Sequence, residues 1–119
     1  MTIKVVLIIL ALHYIGDFLC QSRKMATSKS KSWYWLGKHC LIVWCLLALT
    51  PVPNPLIFAT VNALAHGGID KLIWLRYNRY VKTRGTGFHW FNDYWFYSII
   101  GFDQLLHVGI LMATARFMQ

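Results

Sequence analysis

The 119-residue chain contains no glutamate, and its only acids are Asp17, Asp70, Asp93 and Asp103. Charged residues make up 13% of it, against roughly a quarter in soluble domains, while 57% are hydrophobic and 16% aromatic. One domain of this length has no interior large enough to bury so much apolar surface in water. That excludes a soluble globular class and leaves a bilayer as the expected solvent. Cysteine is scarce too: Cys20, Cys40 and Cys45 lie in or beside apolar runs and form no C-x-x-C pair. This excludes a disulfide framework and reads as buried thiols, with only Cys20 sharing a helix face with a chemical candidate, His13. The first apolar run has no small-residue cleavage motif and contains His13 and Asp17, so it does not read as a cleavable signal peptide. No internal repeat and no low-complexity tract is present.

With so few acids, the net charge is +8. The bases fall in two short loops between apolar runs, which is the layout of membrane topology. Anionic lipid head groups, and not nucleic acid, are therefore the expected partner. The sequence predicts an all-α integral membrane bundle over residues 1–119, with four transmembrane helices at about 3–21, 34–50, 56–75 and 94–116. Ser22–Ser32 and Arg76–Arg84 read as basic loops, and Pro51-Val-Pro-Asn-Pro55 as an uncharged turn. Trp33–Trp35 and His89–Tyr97 read as interfacial aromatic belts.

The first basic loop and its flank hold Arg23, Lys24, Lys29, Lys31 and Lys38, and the second holds Lys71, Arg76, Arg79, Lys82 and Arg84. Only Lys4 and Arg116 stand near the other ends. The positive-inside rule then places both basic loops in the cytoplasm and both termini outside, in the inner (cytoplasmic) membrane.

Each of the four acids has a histidine four positions away: His13 with Asp17, His66 with Asp70, His89 with Asp93, and Asp103 with His107. That spacing puts both side chains on one helix face. Ionisable groups in hydrocarbon are expensive enough to mark function by default. Three of the pairs also respect helix direction, since the order reverses in the fourth span, which runs the other way. The expected result is a layer of imidazoles near the membrane centre and a layer of carboxylates about 6 Å nearer the cytoplasm. His39, near the start of the second span, is placed to join the carboxylates.

His and Asp are first-choice ligands for zinc and also suit manganese or iron. The candidate metal ligands are His13, Asp17, His39, His66, Asp70, Asp103 and His107, and Asp17, Asp70 and Asp103 are the candidate catalytic carboxylates. They are suited to one ion with outer carboxylates, or to two ions with carboxylate bridges. Two other readings compete: a self-neutralising network that joins the helices, and a proton or ion relay. His89 and Asp93 lie in the aromatic belt and read as an interfacial pair or a helix-start contact. Gln21 and Gln104 read as outer hydrogen-bond partners, and Asn62 as a bond across helices. Gly67, Gly68, Gly101 and Gly109 read as points of close helix packing.

The run Leu12-His13-Tyr14-Ile15-Gly16-Asp17-Phe18-Leu19-Cys20-Gln21, followed by Lys29, Lys31 and His39, resembles the opening of a little-characterised family of small bacterial and phage membrane proteins of unknown function. His66-x3-Asp70-Lys71 and Asp103-Gln104-x2-His107 resemble its later motifs. The resemblance implies a multi-spanning membrane protein similar to membrane-bound metal-dependent hydrolases. The expected function is a divalent-metal site inside the membrane, with hydrolysis of a lipid-like substrate open and homo-oligomerisation allowed. The alternative from another class is a holin-like phage pore or interaction protein, which has no need of a buried ligand constellation.

Overall fold

A computed structural model describes residues 1–29, 31–85 and 93–119 of the chain. Among these residues all regular structure is helical, with no strand. Helix α1 (Ile3–Tyr14) starts at Thr2, whose hydroxyl accepts from Val5 N, and runs into a π-helical turn over Ile15–Leu19. That turn closes through Cys20 N and Ile15 O at 2.8 Å. Helix α2 (Arg23–Ser28) begins at Ser22, whose Oγ accepts from Met25 N at 3.1 Å. Helix α3 (Trp33–Leu47) stops where Thr50 Oγ1 donates to Leu47 O at 2.7 Å, just before Pro51. Helix α4 (Pro55–Lys82) starts on a proline, which has no N–H to leave unpaired there. Helix α5 (Tyr94–Phe117) starts at Asp93, whose carboxylate accepts from Trp95 N.

Three of these bounds differ from the sequence reading. Part of the expected first loop is α2, because Ser22 caps it and Met25 gives it a buried face. Most of the expected second basic loop is helix, since Lys and Arg are good helix formers and Tyr77 turns inward, 5% exposed. Helix α3 has 15 residues, fewer than the span expected at 34–50. Two helices, α4 with 28 residues and α5 with 24, are long and apolar enough to cross a membrane.

Helix α3 packs on α1 and α4, α4 packs on α5, and α5 returns to α1, so the four longer helices close a ring. The most extensive packing is between α3 and α4. A Cβ at Gly67 would stand 2.8 Å from Cys40 Sγ, whereas Gly68, Gly101 and Gly109 face open space. The close-packing role therefore falls to Gly67 alone of those four. Asn62 on α4 donates to Thr114 Oγ1 on α5 at 2.8 Å, a direct bond across helices. At one end of the ring Ile9, Val43, Leu47, Phe58, Ala59, Leu111 and Ala115 form an apolar core with Val52. At the other end the interior is polar. The outer surface is apolar along the helices, for example at Leu7, Leu41, Leu64 and Leu105, each 60% exposed or more.

Candidate metal centre

Each helix of the ring contributes to the polar interior through the spacing that its sequence dictates. Helix α4 presents His66 and Asp70 one turn apart, 4% and 0% exposed, and α5 presents Asp103 and His107 at 2% and 3%. His13 comes from α1, and Asp17 from the π-helical turn that follows it. His39, 0% exposed, comes from α3 at the level where Gly67 lets α4 approach. The structure thus brings His13, Asp17, His39, His66, Asp70, Asp103 and His107 into one cluster.

Four donor atoms converge at its centre. His39 Nε2 lies 2.8 Å from His66 Nε2. Asp17 Oδ1 lies 3.2 Å from His39 Nε2 and 3.3 Å from His66 Nε2. Asp70 Oδ2 lies 3.3 Å from each of the same two nitrogens. Five separations among four atoms therefore fall between 2.8 and 3.3 Å. A tetrahedral ion with bonds of about 2.0–2.1 Å holds its donors about 3.3–3.4 Å apart. Five of the six edges of such a tetrahedron are therefore present, each at or below that length.

Two looser groups adjoin it: His13, Asp17 and His107, and Asp70, Asp103 and His107. His107 Nε2 is 3.7 Å from Asp70 Oδ1 and 3.8 Å from Asp103 Oδ1. Its ring stacks on His66 with centroids 3.9 Å apart, and His13 meets both rings edge-on. Asp17 and Asp70 thus belong both to the tight group and to the looser ones. Gln104 ties the edge together: its Oε1 faces His13 Nε2 at 2.9 Å, and its Nε2 donates to Asp17 Oδ2 at 2.6 Å.

Lys29 completes the site; the sequence reading names it as a loop base and in the family resemblance, but not among the candidate site residues. It is 5% exposed, and its Nζ lies 3.0 Å from Asp70 Oδ2 and 3.9 Å from Asp17 Oδ1. The available signal was Met25 four residues earlier, on the same face of a helix capped by Ser22. Three buried carboxylates (Asp17, Asp70, Asp103) against one buried ammonium leave two negative charges when the imidazoles are neutral. That is the charge of one divalent cation.

Among the described residues, Asp17 Oδ1, both oxygens of Asp70, Asp103 Oδ1, His39 Nδ1 and both nitrogens of His107 are buried without a hydrogen-bond partner. Asp17 Oδ1 and Asp70 Oδ2 lie at ion-pair distance from His39, His66 and Lys29. A network that only joined helices would satisfy these atoms. The open valences of His39 Nδ1, His107 and Asp103 Oδ1, beside carboxylates crowded at 3.0–3.3 Å from their partners, fit a cation in the cluster.

The remaining candidates lie elsewhere. Asp93 caps α5 and accepts from Tyr77 Oη at 3.0 Å, a helix-start contact outside the cluster. His89 falls outside the described residues. Cys20 and Cys45 are exposed, and Cys40 packs against Gly67. No curated protein and no solved structure matches the chain. A match over residues 5–119 shows that the chain belongs to a family described as protein of unknown function, DUF3307.

Proposed function

We propose that this chain is a four-span membrane protein whose polar interior holds a divalent metal ion, zinc foremost, and that the site hydrolyses a lipid-like substrate. The observation that carries the metal reading is the convergence of Asp17, His39, His66 and Asp70, with five donor separations of 2.8–3.3 Å. Zinc suits four such donors, whereas manganese and iron more often take additional oxygen ligands. The looser groups around His107, which share Asp17 and Asp70 with the tight one, are residues that could hold a second ion.

An inside-out distribution supports the membrane reading. Side chains such as Leu7, Leu41, Leu64 and Leu105 face outward while His, Asp and Lys are buried. Lys24 and Lys38 stack on Trp35, and Lys71 on Trp33, at one end of the bundle. That pairing suits an interfacial belt on the basic, cytoplasmic side. A reporter fused after Gln119 that is active only in the cytoplasm would reverse this orientation.

A bound divalent ion supplies Lewis acidity and lowers the pKa of a water molecule. Asp103 is the residue best placed to accept a proton, since its Oδ1 has no hydrogen-bond partner and it borders a large cavity. Lys29 and Gln104 hold the carboxylates of Asp70 and Asp17 in position.

Elemental analysis of protein purified without chelators tests the reading. We expect about one tightly held ion per chain, lost in His39→Ala and in His66→Ala. Wild-type protein that carries no metal and takes up neither zinc, manganese nor iron would sink it. A proton relay would then be favoured by the His13–Gln104–Asp17 chain, and by a void of about 10 Å³ beside His13, His66 and His107. That space is close to what one water needs.

A further inference from the structure

A second cavity, of about 470 Å³, lies on the carboxylate side of the cluster between the π-helical turn, α2, and the facing ends of α4 and α5. Its volume falls within the range of small-molecule sites, about 300–1,000 Å³. The walls divide sharply by chemistry. Phe18, Trp74, Phe96 and Ile100 make an apolar side, while Arg23, Lys29 and Lys31 make a cationic one. Asp17, Asp103 and Gln104 join the cavity to the metal cluster.

We propose that this cavity binds a phosphate-bearing amphiphile, with the phosphate on Arg23 and Lys31 beside the cluster and the hydrocarbon against Phe18, Trp74 and Phe96. The inference rests on the metal reading above and names the substrate class of that site.

Charge complementarity carries the argument. Lys24, Lys38 and Lys71 are engaged by Trp33, Tyr34 and Trp35, and Lys29 by Asp70. Arg23 and Lys31 have no ion-pair or aromatic partner among the described residues, yet both border the cavity. With one divalent ion at the cluster, the two surplus carboxylate charges are offset, and the cavity's remaining charge is the +2 of Arg23 and Lys31. A phosphate monoester fits that balance, and guanidinium is suited to bidentate phosphate binding. Free phosphate would leave the aromatic wall uncovered, and a neutral lipid would leave both cations unmatched. The amphiphile satisfies both sides.

The test uses the full chain in a neutral detergent, loaded with zinc, and measures binding of a short-chain phosphatidic acid, the matching diacylglycerol and inorganic phosphate. Metal content is read separately on every sample. Phosphatidic acid should bind saturably, at least about tenfold more tightly than either other probe. Arg23→Gln with Lys31→Gln should weaken it by about tenfold or more while metal content stays unchanged. Lys24→Gln with Lys38→Gln removes the same charge outside the cavity and should leave binding intact.

Unaltered binding in the Arg23/Lys31 variant overturns the proposal, as does equal weakening by the Lys24/Lys38 variant. Diacylglycerol bound as tightly as phosphatidic acid overturns the role of phosphate. Inorganic phosphate bound as tightly overturns the lipid source. Zinc-loaded wild type that fails to bind phosphatidic acid overturns this inference and leaves the metal reading standing. Protein that takes up no zinc overturns the metal reading, and the site's substrate assignment falls with it.

Discussion

The two ends of the helical ring are built from the same four helices on opposite principles. At one end Ile9, Leu47, Phe58 and Ala115 are almost fully buried in apolar contact. At the other, His39 and Asp70 are just as completely buried, but among groups that bind protons and cations. In a bilayer the apolar end has little to gain from burial alone, because lipid is as apolar as the core, and its contribution is van der Waals packing. The polar end has everything to lose if one member is removed, because a charge without a partner has no water to turn to. One end fixes how the helices meet, and the other uses that meeting to bring His and Asp side chains together from four directions.

Substitutions at the two ends should therefore separate stability from metal content. The largest effect is expected for Asp70→Ala, which removes a proposed ligand and strands the Lys29 ammonium. Metal should be lost and stability should fall by about 3–5 kcal/mol, as read by denaturation in mixed micelles. Phe58→Ala, at the apolar end, should lower stability by about 3 kcal/mol through lost packing with metal stoichiometry retained. Loss of metal in that variant would show that the two ends are not separable.

Lys29→Met sharpens the comparison within the polar end. Without metal, Lys29 is the one buried ammonium near the carboxylates, and its removal should destabilise the metal-free protein by about 2–3 kcal/mol. The metal-loaded protein should lose less, so by linkage the variant should hold metal more tightly. Chelator competition that finds weaker metal binding would show that the hold of Lys29 on Asp70 outweighs its competing charge.

The smallest effect is expected for Asp93→Asn. Asparagine caps a helix about as well as aspartate, so stability should change by less than about 1 kcal/mol and metal content should not change. A loss of metal like that of Asp70→Ala would place Asp93 in the site.

The polar end was largely legible in the sequence because polarity is rare there. In runs as apolar as Leu56–Leu75, a histidine and an aspartate four apart stand out, and the reversed order in α5 ties them to one level. The role of Lys29 was harder to read for the opposite reason: the resemblance quotes it beside Lys31, in a stretch where bases are common, and only the burial of Met25 and the turn of α2 set it apart from Lys24 and Lys31. The π-helical turn that carries Asp17 left no mark in the composition, since a wider turn is a product of packing. Helix ends were least legible, because α4 runs on to Lys82 through residues that suit either a basic loop or a helix. Glycine spacing misled as well: Gly67 meets Cys40 while Gly68 faces open space, a difference that depends on which way α4 is rotated.

The central claim is that Asp17, His39, His66 and Asp70 enclose one tetrahedral ion, and X-ray absorption at the zinc edge addresses it most directly. Zinc-loaded protein should give four nitrogen and oxygen neighbours at about 2.0–2.1 Å, with the outer-shell scattering of two imidazoles and no sulfur. A sulfur neighbour at about 2.3 Å, or a shell of six oxygens without imidazole, would contradict the account.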